Sequence, residues 1–400
     1  MKLEARQRHR EIPNYSLTAD LLAAYRCTLQ YRWQNRGRLP PSTPVQLWFG
    51  GFIHGVMEEA LLSWRAADEG DRYRQFPWDY ATSHALQLLV DRTRMRPKNI
   101  IAPSNQFHPE PEWEHARSAN LRAHEAINIW GPHLFPLISR PEIPLHGLRA
   151  MPDSGTPKRA QFFEISGVID LLASANLRLF RDNHLVQRLR QAVSLPDNEE
   201  EEFEIIVDYK GSERPDASAE MLRVYQWQLE TYAWLRSRQE DARPVRAGIL
   251  LFLSEMHPSK EVLEKLAGQV RLEGRLEGAT PQDIERLLNY RPGDRPPELS
   301  EQLRRARSLY ILPIDPIHAE EGASRFDEPV SIIERAVARE SRGEPLSQVW
   351  IEAWQELSPG DPSVPRAPEL KTCIACDHRT YCPIALRVHG TQAVGQVPEP

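Results

Sequence analysis

The most regular hydrophobic pattern of the chain lies between Val45 and Trp64. Apolar residues recur there at intervals of three and four positions, which is the period of a helix with one buried face. The members of this stripe are Trp48, Phe52, Ile53, Val56, Met57, Ala60, Leu61 and Trp64. Similar patterns predict further helices over 15–33, 81–93, 112–131, 218–238 and 329–356, and helical segments within 258–289 and 298–306.

Shorter apolar runs bounded by Pro, Gly or charged residues predict strands. A strand with a hairpin is predicted over 162–175, and single strands over 202–211, 244–255 and 308–314. The resulting order of helix, strand, strand, helix and strand is typical of an α/β core. The segments 67–160, 177–201 and 258–306 then stand as insertions into that core.

Composition narrows the class of protein. The chain has 400 residues and a formal net charge of −6, which excludes a globally basic nucleic-acid binder but not a local basic patch. No run of about 18 apolar residues appears, so no membrane span is expected. Four cysteines, three of them clustered near the C-terminus, do not resemble a disulfide framework. These features predict a soluble, cytoplasmic protein.

Charged residues stand at the ends of two predicted strands. Asp170 ends "GVID", and Asp208 and Lys210 end "VDYK". Two carboxylates on neighbouring strand ends can bind a hard cation such as Mg²⁺ or Mn²⁺, and Lys210 projects from the same face as Asp208 because side chains alternate with period two. A bound cation could then activate water and neutralise charge on a phosphodiester. The alternative is a pair of strands that simply end in polar residues at the surface.

The lysine itself is informative because the chain uses arginine almost everywhere else. Seven lysines stand against 43 arginines. Arginine is always protonated, whereas a lysine beside carboxylates can exchange a proton. The choice of lysine at position 210 therefore favours a chemical role over generic positive charge.

Two neighbouring helices carry further candidates. Gln228 and Tyr232 stand four residues apart in "QLETY", hence on one helix face. His54 lies in the first strong helix, in "GGFIHG", and its imidazole could be a further metal ligand or an ordinary structural side chain.

In this order the pieces resemble the RecB-like branch of the PD-(D/E)XK nuclease superfamily. Its motifs are a G-x-x-H helix, a G-x-x-D strand, a D-x-K strand and a Q-x-x-x-Y helix. The matching segments here are Gly51–His54, Gly167–Asp170, Asp208–Lys210 and Gln228–Tyr232. The resemblance implies a restriction-endonuclease-like α/β core, a mixed sheet flanked by helices. Asp170, Asp208 and His54 would bind Mg²⁺ or Mn²⁺, Lys210 would orient or activate water, and Gln228 and Tyr232 would position Lys210 or the strand end.

The cysteines extend the resemblance. Cys373, Cys376 and Cys382 lie in "CIACDHRTYC", and the remaining cysteine is Cys27. Within the RecB-like branch, the CRISPR-associated spacer-processing exonucleases and the AddB nuclease domain bind a [4Fe–4S] cluster with one cysteine before the core and C-x-x-C-x5-C after it. This implies a cluster on all four cysteines that joins the two ends of the chain. Zinc is the rival, with His378 as another ligand.

The resemblance also implies a division of the chain and a function. An N-terminal part of the iron–sulfur subdomain would span 1–44, the nuclease core with its insertions 45–357, and the C-terminal iron–sulfur segment 358–400. The function would be metal-dependent cleavage of DNA, as an exonuclease on single-stranded ends, in DNA repair and recombination or in CRISPR defence. No phosphate-binding G-x-x-x-x-G-K-[ST] loop is present, so a helicase or a CRISPR integration partner would have to supply any ATP-driven unwinding.

Two other classes of function stay open. The first is a non-catalytic iron–sulfur DNA-binding subunit of a helicase or integration complex. The second is a scaffold clipped by zinc that binds no nucleic acid. Cleavage assays with and without metal, and the colour and metal content of the purified protein, distinguish the three.

Overall fold

A computed structural model describes most of the core of the chain. The described residues are 12–36, 43–72, 75–79, 81–82, 84–86, 88, 100–101, 112–175, 180–193, 202–357, 376, 378, 382 and 384. Within them the strands are β1 (Asn14–Ser16), β2 (Thr43–Pro44), β3 (Ile100–Ile101), β4 (Ile138–Ala150), β5 (Phe162–Ala175), β6 (Phe203–Lys210), β7 (Val245–Phe252) and β8 (Leu309–Pro313). The α-helices are α1 (Leu22–Arg26), α2 (Thr28–Tyr31), α3 (Val45–Ala66), α4 (Glu112–Leu134), α5 (His184–Ala192), α6 (Glu220–Ser237), α7 (Lys260–Glu273), α8 (Pro281–Asn289), α9 (Glu301–Ser308), α10 (Pro316–Ser324), α11 (Asp327–Ser341) and α12 (Leu346–Leu357).

Six of the strands form one mixed sheet. Its order is β1-β5-β6-β7-β8, and β4 pairs with β5 along the length of both strands. β5 and β6 are antiparallel, whereas β6 and β7 are parallel. A parallel pair needs a crossover, and α6 provides it between β6 and β7. The predicted strands and the helix between them are therefore confirmed, as is the mixed sheet of an α/β fold. The hairpin predicted within 162–175 is wrong, because these residues form one continuous strand, β5.

Helices cover both faces of the sheet. One hydrophobic core joins α3, α4 and α5 to Ile205 and Val207 of β6. A second core joins α6, α11 and α12 to the opposite face, which Ile206 enters. The side chains of β6 thus point alternately into the two cores, and seven of the eight residues of this strand are buried. The helices predicted over 45–64, 112–131 and 218–238 are confirmed; the helix predicted over 81–93 lies mostly outside the described residues.

β4 belongs to the main sheet although it falls within the segment 67–160 that the sequence marks as an insertion. It pairs with β5 from Ile138 to Ala150, and α4 before it contributes Ala123, Ile127 and Trp130 to the first core. The sequence pattern did not predict this strand because it contains Pro141 and Pro144. Proline has no backbone N–H to donate to a neighbouring strand. In the described sheet β4 pairs only with β5, so its prolines stand in an edge strand.

The segment 258–306 behaves as an insertion with a core of its own. α7, α8 and α9 bury Leu263, Leu266, Leu287 and Leu303 against one another, separately from the two cores that flank the sheet. Thr280 begins α8 with a reciprocal capping box to Asp283.

Two helix predictions need correction. The helical structure predicted over 15–33 is confirmed from Leu17 onward, but it is not continuous: β1 occupies its beginning, and the extended backbone of Cys27 (φ −163°, ψ 107°) separates α1 from α2. The helix predicted over 329–356 is likewise two helices, α11 and α12, with Gly343 between them at a positive φ of 84° that suits glycine.

Residues of α2 and described residues of the C-terminal cysteine segment pack on the second core. Arg32, just after α2, forms a bidentate ion pair with Glu340 of α11, with N···O distances of 2.9 and 2.6 Å. The ring of Trp33 lies 5.1 Å from that of His378, centroid to centroid. Residues near Cys27 are therefore neighbours of the C-terminal cysteine segment. No helix among the described residues is long and apolar enough to cross a bilayer.

Candidate active site

The register of β5 and β6 places two aspartates side by side. The paired positions of these antiparallel strands end at Leu171 opposite Val207, so the next position aligns Asp170 with Asp208. The Asp170 carboxyl also accepts a hydrogen bond of 2.8 Å from the backbone N–H of Tyr209. Asp208 is buried and its carboxyl contacts that of Asp170. Two acidic groups thus converge where the strands separate.

Lys210 joins this pair from the same side of β6. Its Nζ lies 2.5 Å from Oδ2 of Asp208 and donates a hydrogen bond of 2.8 Å to Oε1 of Gln228. Asp208 and Lys210 are two positions apart on one strand, so their side chains share a face. That face turns toward α6, which supplies the glutamine.

Gln228 and Tyr232 form the side of the site that belongs to α6. Nε2 of Gln228 donates a hydrogen bond of 3.2 Å to the hydroxyl of Tyr232, while Oε1 of the same amide accepts from Lys210. Both side chains are buried. The amide therefore connects the lysine to a tyrosine fixed in the second core, and this chain of bonds sets the position of the ammonium group.

Glycine at position 167 lets α6 approach the sheet at this point. A Cβ at Gly167 would lie 2.7 Å from Cε1 of Tyr232, which is closer than carbon atoms can pack. Gly147, on the neighbouring strand β4, makes the same allowance for Trp234, whose ring would be 2.4 Å from a Cβ there. Close packing against Tyr232 thus explains the glycine of the G-x-x-D motif, independently of the role of Asp170.

His54 reaches the aspartates from α3, on the other side of the sheet. Its Nδ1 lies 3.3 Å from Oδ1 of Asp170, and its Nε2 lies 3.1 Å from the carbonyl oxygen of Tyr209. Both neighbours are acceptors, so both ring nitrogens donate when the imidazole is protonated. The contact is possible because α3 lies close to the end of β6. A Cβ added to Gly211, the residue after β6, would be 2.8 Å from the ring of Phe49 and 3.4 Å from Cα of Gly50, both of which belong to α3.

The crowding of charge shifts the pKa values of these groups in opposite directions. Burial raises the pKa of Asp208, and the neighbouring Asp170 raises it further against the opposing effect of Lys210. The pKa of Asp170 is lowered, because His54 and the hydrogen bonds it accepts outweigh its burial. Burial lowers the pKa of His54, but the Asp170 carboxylate raises it more strongly, to about 9. The raised pKa of His54 favours its protonated form on the Asp170 carboxylate, and the raised pKa of Asp208 reflects the cost of a second buried negative charge beside it.

These donors suit a hard divalent cation in part. Oδ2 of Asp208 is a buried oxygen with the Lys210 ammonium beside it but no well-formed hydrogen bond, and carboxylate oxygens are the ligands that Mg²⁺ and Mn²⁺ prefer. Among the described residues, no group of three or more His, Cys, Asp and Glu side chains is arranged to hold a metal ion. Two aspartates therefore provide two ligands, and the remaining positions would go to water and to substrate oxygens, as is usual for Mg²⁺.

Tyr225 is a neighbour of the site that the sequence analysis missed. The Nζ of Lys210 lies 4.5 Å from the centroid of its ring, within the range of a cation–π interaction. Its hydroxyl is 3.5 Å from that of Ser212. The signal was available, because Tyr225 precedes Gln228 by three positions on the same helix and so shares its face.

Three of the four cysteines, Cys27, Cys376 and Cys382, lie in the part of the chain that the structure describes, and Cys373 lies outside it. The Sγ of Cys27 accepts a hydrogen bond of 3.5 Å from the N–H of Gln30, and the Sγ of Cys376 accepts one of 3.4 Å from the N–H of His378. A backbone N–H thus faces the sulfur atom of each of these two cysteines.

Fold and site together define an α/β domain with two aspartates side by side on adjacent antiparallel strands and a lysine at the last position of one of them. Asp170 lies inside β5 and not, as the sequence had predicted, at a strand end, because β5 continues to Ala175. Residues 195–383 match the family model of the PD-(D/E)XK nuclease superfamily, so the chain carries a domain of this superfamily. The match includes Asp208, Lys210, Gln228 and Tyr232, whereas Asp170 and His54 reach the same site from outside it. No curated protein matches the chain in sequence.

Proposed function

We propose that this protein is a divalent-metal-dependent deoxyribonuclease that hydrolyses phosphodiesters as an exonuclease on single-stranded DNA ends. The observation that carries the proposal is the convergence of Asp170, on β5, with Asp208 and Lys210, near the end of β6, where residues 195–383 match the PD-(D/E)XK superfamily. Acidic residues beside a lysine, reached from one side by α3 and from the other by α6, form a centre for phosphoryl chemistry at a protein surface.

Asp170 and Asp208 are the proposed ligands of Mg²⁺ or Mn²⁺. A cation bound there would polarise the scissile phosphate and lower the pKa of a bound water. Because each aspartate lies in a different strand of a rigid sheet, their oxygens keep a fixed spacing. Binding a cation between them also relieves the repulsion that raises the pKa of Asp208.

Lys210 is proposed to orient the attacking water and to deliver or accept a proton near the scissile phosphate. Its side chain is only 12% exposed, and Asp208 and Gln228 fix the ammonium from two directions. Gln228 and Tyr232 are positioning residues in this scheme, since they act through the lysine. A fixed ammonium needs little reorganisation when negative charge develops on the phosphate.

His54 is proposed to hold Asp170 in the orientation that receives the metal ion. Both of its ring nitrogens contact protein acceptors, so direct ligation of a metal, as the resemblance implies, requires His54 to exchange its contact with Asp170 for the ion and to lose a proton. Substitution of His54 by alanine should therefore weaken metal affinity, and excess Mn²⁺ should restore part of the cleavage.

The test of the nuclease is cleavage of DNA labelled at one end, with Asp208→Ala as the defective variant. Chelation of metal or this substitution should abolish cleavage while DNA binding survives, because phosphate contacts supply much of the affinity. The matched control is Asp216→Ala, which removes an exposed aspartate from the loop after β6. Full cleavage by purified Asp208→Ala would refute the proposed centre. A circular single strand, which has no ends, should resist the parent enzyme if it is an exonuclease.

We further propose a [4Fe–4S] cluster on Cys27, Cys373, Cys376 and Cys382. The contact between the rings of Trp33 and His378 supports this ligand set, because it brings the segment around Cys27 close to Cys376 and Cys382. Protein purified without oxygen should be brown and contain iron and sulfide, and Cys27→Ser should lose the colour while Asp208→Ala keeps it. A colourless protein with one zinc ion per chain would instead assign the site to zinc, with His378 as a candidate ligand.

The proposed partner is a helicase or a CRISPR integration complex that presents single-stranded ends, in DNA repair and recombination or in defence. The sequence contains no phosphate-binding loop of its own, so unwinding would come from such a partner. The expected assay result is slow attack on blunt duplex DNA and rapid attack when a helicase opens the same duplex.

A further inference from the structure

A cluster of arginines on α4 lies close to the proposed active site. Arg117 and Arg122 belong to this helix, and Arg304 of α9 and His257, after β7, lie beside them. Arg122 donates a hydrogen bond of 3.2 Å from Nε to the carbonyl oxygen of His257. None of these four residues belongs to the nuclease motifs.

Phe49 connects this cluster to the site. The guanidinium carbon of Arg122 lies 5.0 Å from the centroid of the Phe49 ring. That ring in turn packs on Gly211, where a Cβ would be only 2.8 Å from it. Gly211 directly follows Lys210 in the chain. The arginine is therefore one aromatic ring away from the end of the strand that carries Asp208 and Lys210.

The surroundings of this cluster are positively charged. The pKa of His257 is lowered by its burial and then by Arg122, Arg304 and Arg117, with only Glu125 among the named causes opposing them. Glu125 itself forms an ion pair with Arg304. Among the charged side chains that act on His257, three arginines thus stand against one glutamate.

We propose that Arg117 and Arg122 bind backbone phosphates of the DNA strand on the α4 side of the cleavage site. The inference rests on the proposed nuclease function and extends it by naming the surface that holds the substrate. A planar guanidinium matches the oxygens of a phosphate in a bidentate manner, and the Phe49 ring and the His257 carbonyl keep that of Arg122 in one orientation. Phosphate contacts carry no sequence information, so this surface should hold any strand equally well.

The experiment measures equilibrium binding of fluorescein-labelled oligothymidylate by anisotropy, in EDTA so that cleavage does not interfere. The affinity is determined at salt concentrations from about 50 to 200 mM, because each phosphate contact to a single strand contributes about 0.7 to the slope of log affinity against log salt. Arg122→Gln and Arg117→Gln should each reduce the slope by about 0.7, and the double variant by about 1.4. Arg122→Lys should keep the slope, since it keeps the charge.

Arg275→Gln is the matched control, because it removes the same charge from an exposed residue of the helical insertion. It should bind with the slope of the parent. If the glutamine variants at both 117 and 122 also keep the parent slope, the phosphate site is refuted while the nuclease stands. If the parent binds no DNA at any salt concentration, the proposed function fails first. Arg117 is exposed, so its variant tests the site even if Arg122→Gln does not fold.

Discussion

Substitution of Gly167 by alanine should disturb the active site through packing alone. The added Cβ would lie 2.7 Å from Cε1 of Tyr232, whereas carbon atoms pack best at about 3.5–4.0 Å. Tyr232 is 3% exposed and is enclosed by the second core, so its ring has no free space into which to move. Relief of the overlap therefore requires a shift of about 1 Å in the ring or in the strand.

The cost of this overlap can be bounded. Overpacking of a filled core costs about 1–3 kcal/mol. Loss of the flexibility of glycine in the unfolded chain returns about 0.4–1 kcal/mol. The net loss of stability should be about 1–2 kcal/mol.

Activity should suffer more than stability. The hydrogen bond from Gln228 to the Tyr232 hydroxyl is already 3.2 Å long, so a shift of the ring would break it and free the amide that holds Lys210. A misplacement of about 1 Å near the reacting groups can reduce the rate about 100-fold.

Denaturant unfolding and DNA cleavage are the two measurements, with Gly268→Ala as control. Gly268 lies within α7 and a Cβ there meets nothing within 4 Å, so alanine should stabilise the helix by about 0.5–1 kcal/mol. In a protein that already carries Tyr232→Leu, Gly167→Ala should reduce stability much less, because the ring that the new Cβ would overlap is absent. An unfolding midpoint equal to that of the parent in both backgrounds would show that Tyr232 does not press on Gly167.

Three further predictions concern groups around this site and in the first core. Lys210→Arg keeps the positive charge but should lose most of the cleavage activity, since arginine cannot exchange a proton. Cleavage at the parent rate would show that the lysine contributes only its charge. Tyr225→Leu should lower kcat with little change in unfolding midpoint, whereas Tyr225→Phe, which keeps the ring beneath Lys210, should cleave like the parent; equal rates for both variants would exclude the ring. His133 accepts a hydrogen bond of 3.0 Å from Arg305, and burial, Arg305 and His184 lower its pKa to about 4. As the pH falls, this histidine therefore takes up a proton in the unfolded chain before it does so in the folded protein. The stability of the fold should decrease from about pH 6.5 toward pH 4. The thermal unfolding midpoint of His133→Gln should decrease less than that of the parent over this pH range. An identical pH profile would show that His133 does not cause the loss of stability.

The chemistry of the site was predictable where it depends on local spacing. Asp208 and Lys210 share a face because they are two positions apart on a strand, and Gln228 and Tyr232 share one because they are four apart on a helix. Their contact across elements could not be read in this way. Asp170 meets Asp208 only because β5 and β6 pair with a particular register, and register depends on the whole sheet.

The parts of the fold that the sequence analysis missed have definite physical causes. β4 carries Pro141 and Pro144, which oppose a strand unless its outer edge is unpaired, and that depends on the neighbouring strands. The extended backbone at Cys27 interrupts a segment with good helical periodicity. Its thiol caps α2 by accepting a hydrogen bond from the N–H of Gln30, a role that the apolar periodicity does not indicate.

The position of α2 does not depend on the proposed cluster. Arg32 pairs with Glu340, and the ring of Tyr31 lies 6.1 Å from that of Trp350, so the segment around α2 docks on α11 and α12 through ordinary side chains. A metal centre assembled from distant parts of a chain binds more readily when one ligand is already in place, because less conformational entropy is lost on binding. The docked α2 would hold Cys27 in that role and leave the C-terminal cysteines to close on it. Loss of the centre should therefore loosen the C-terminal segment first, while the N-terminal helices stay on the nuclease core.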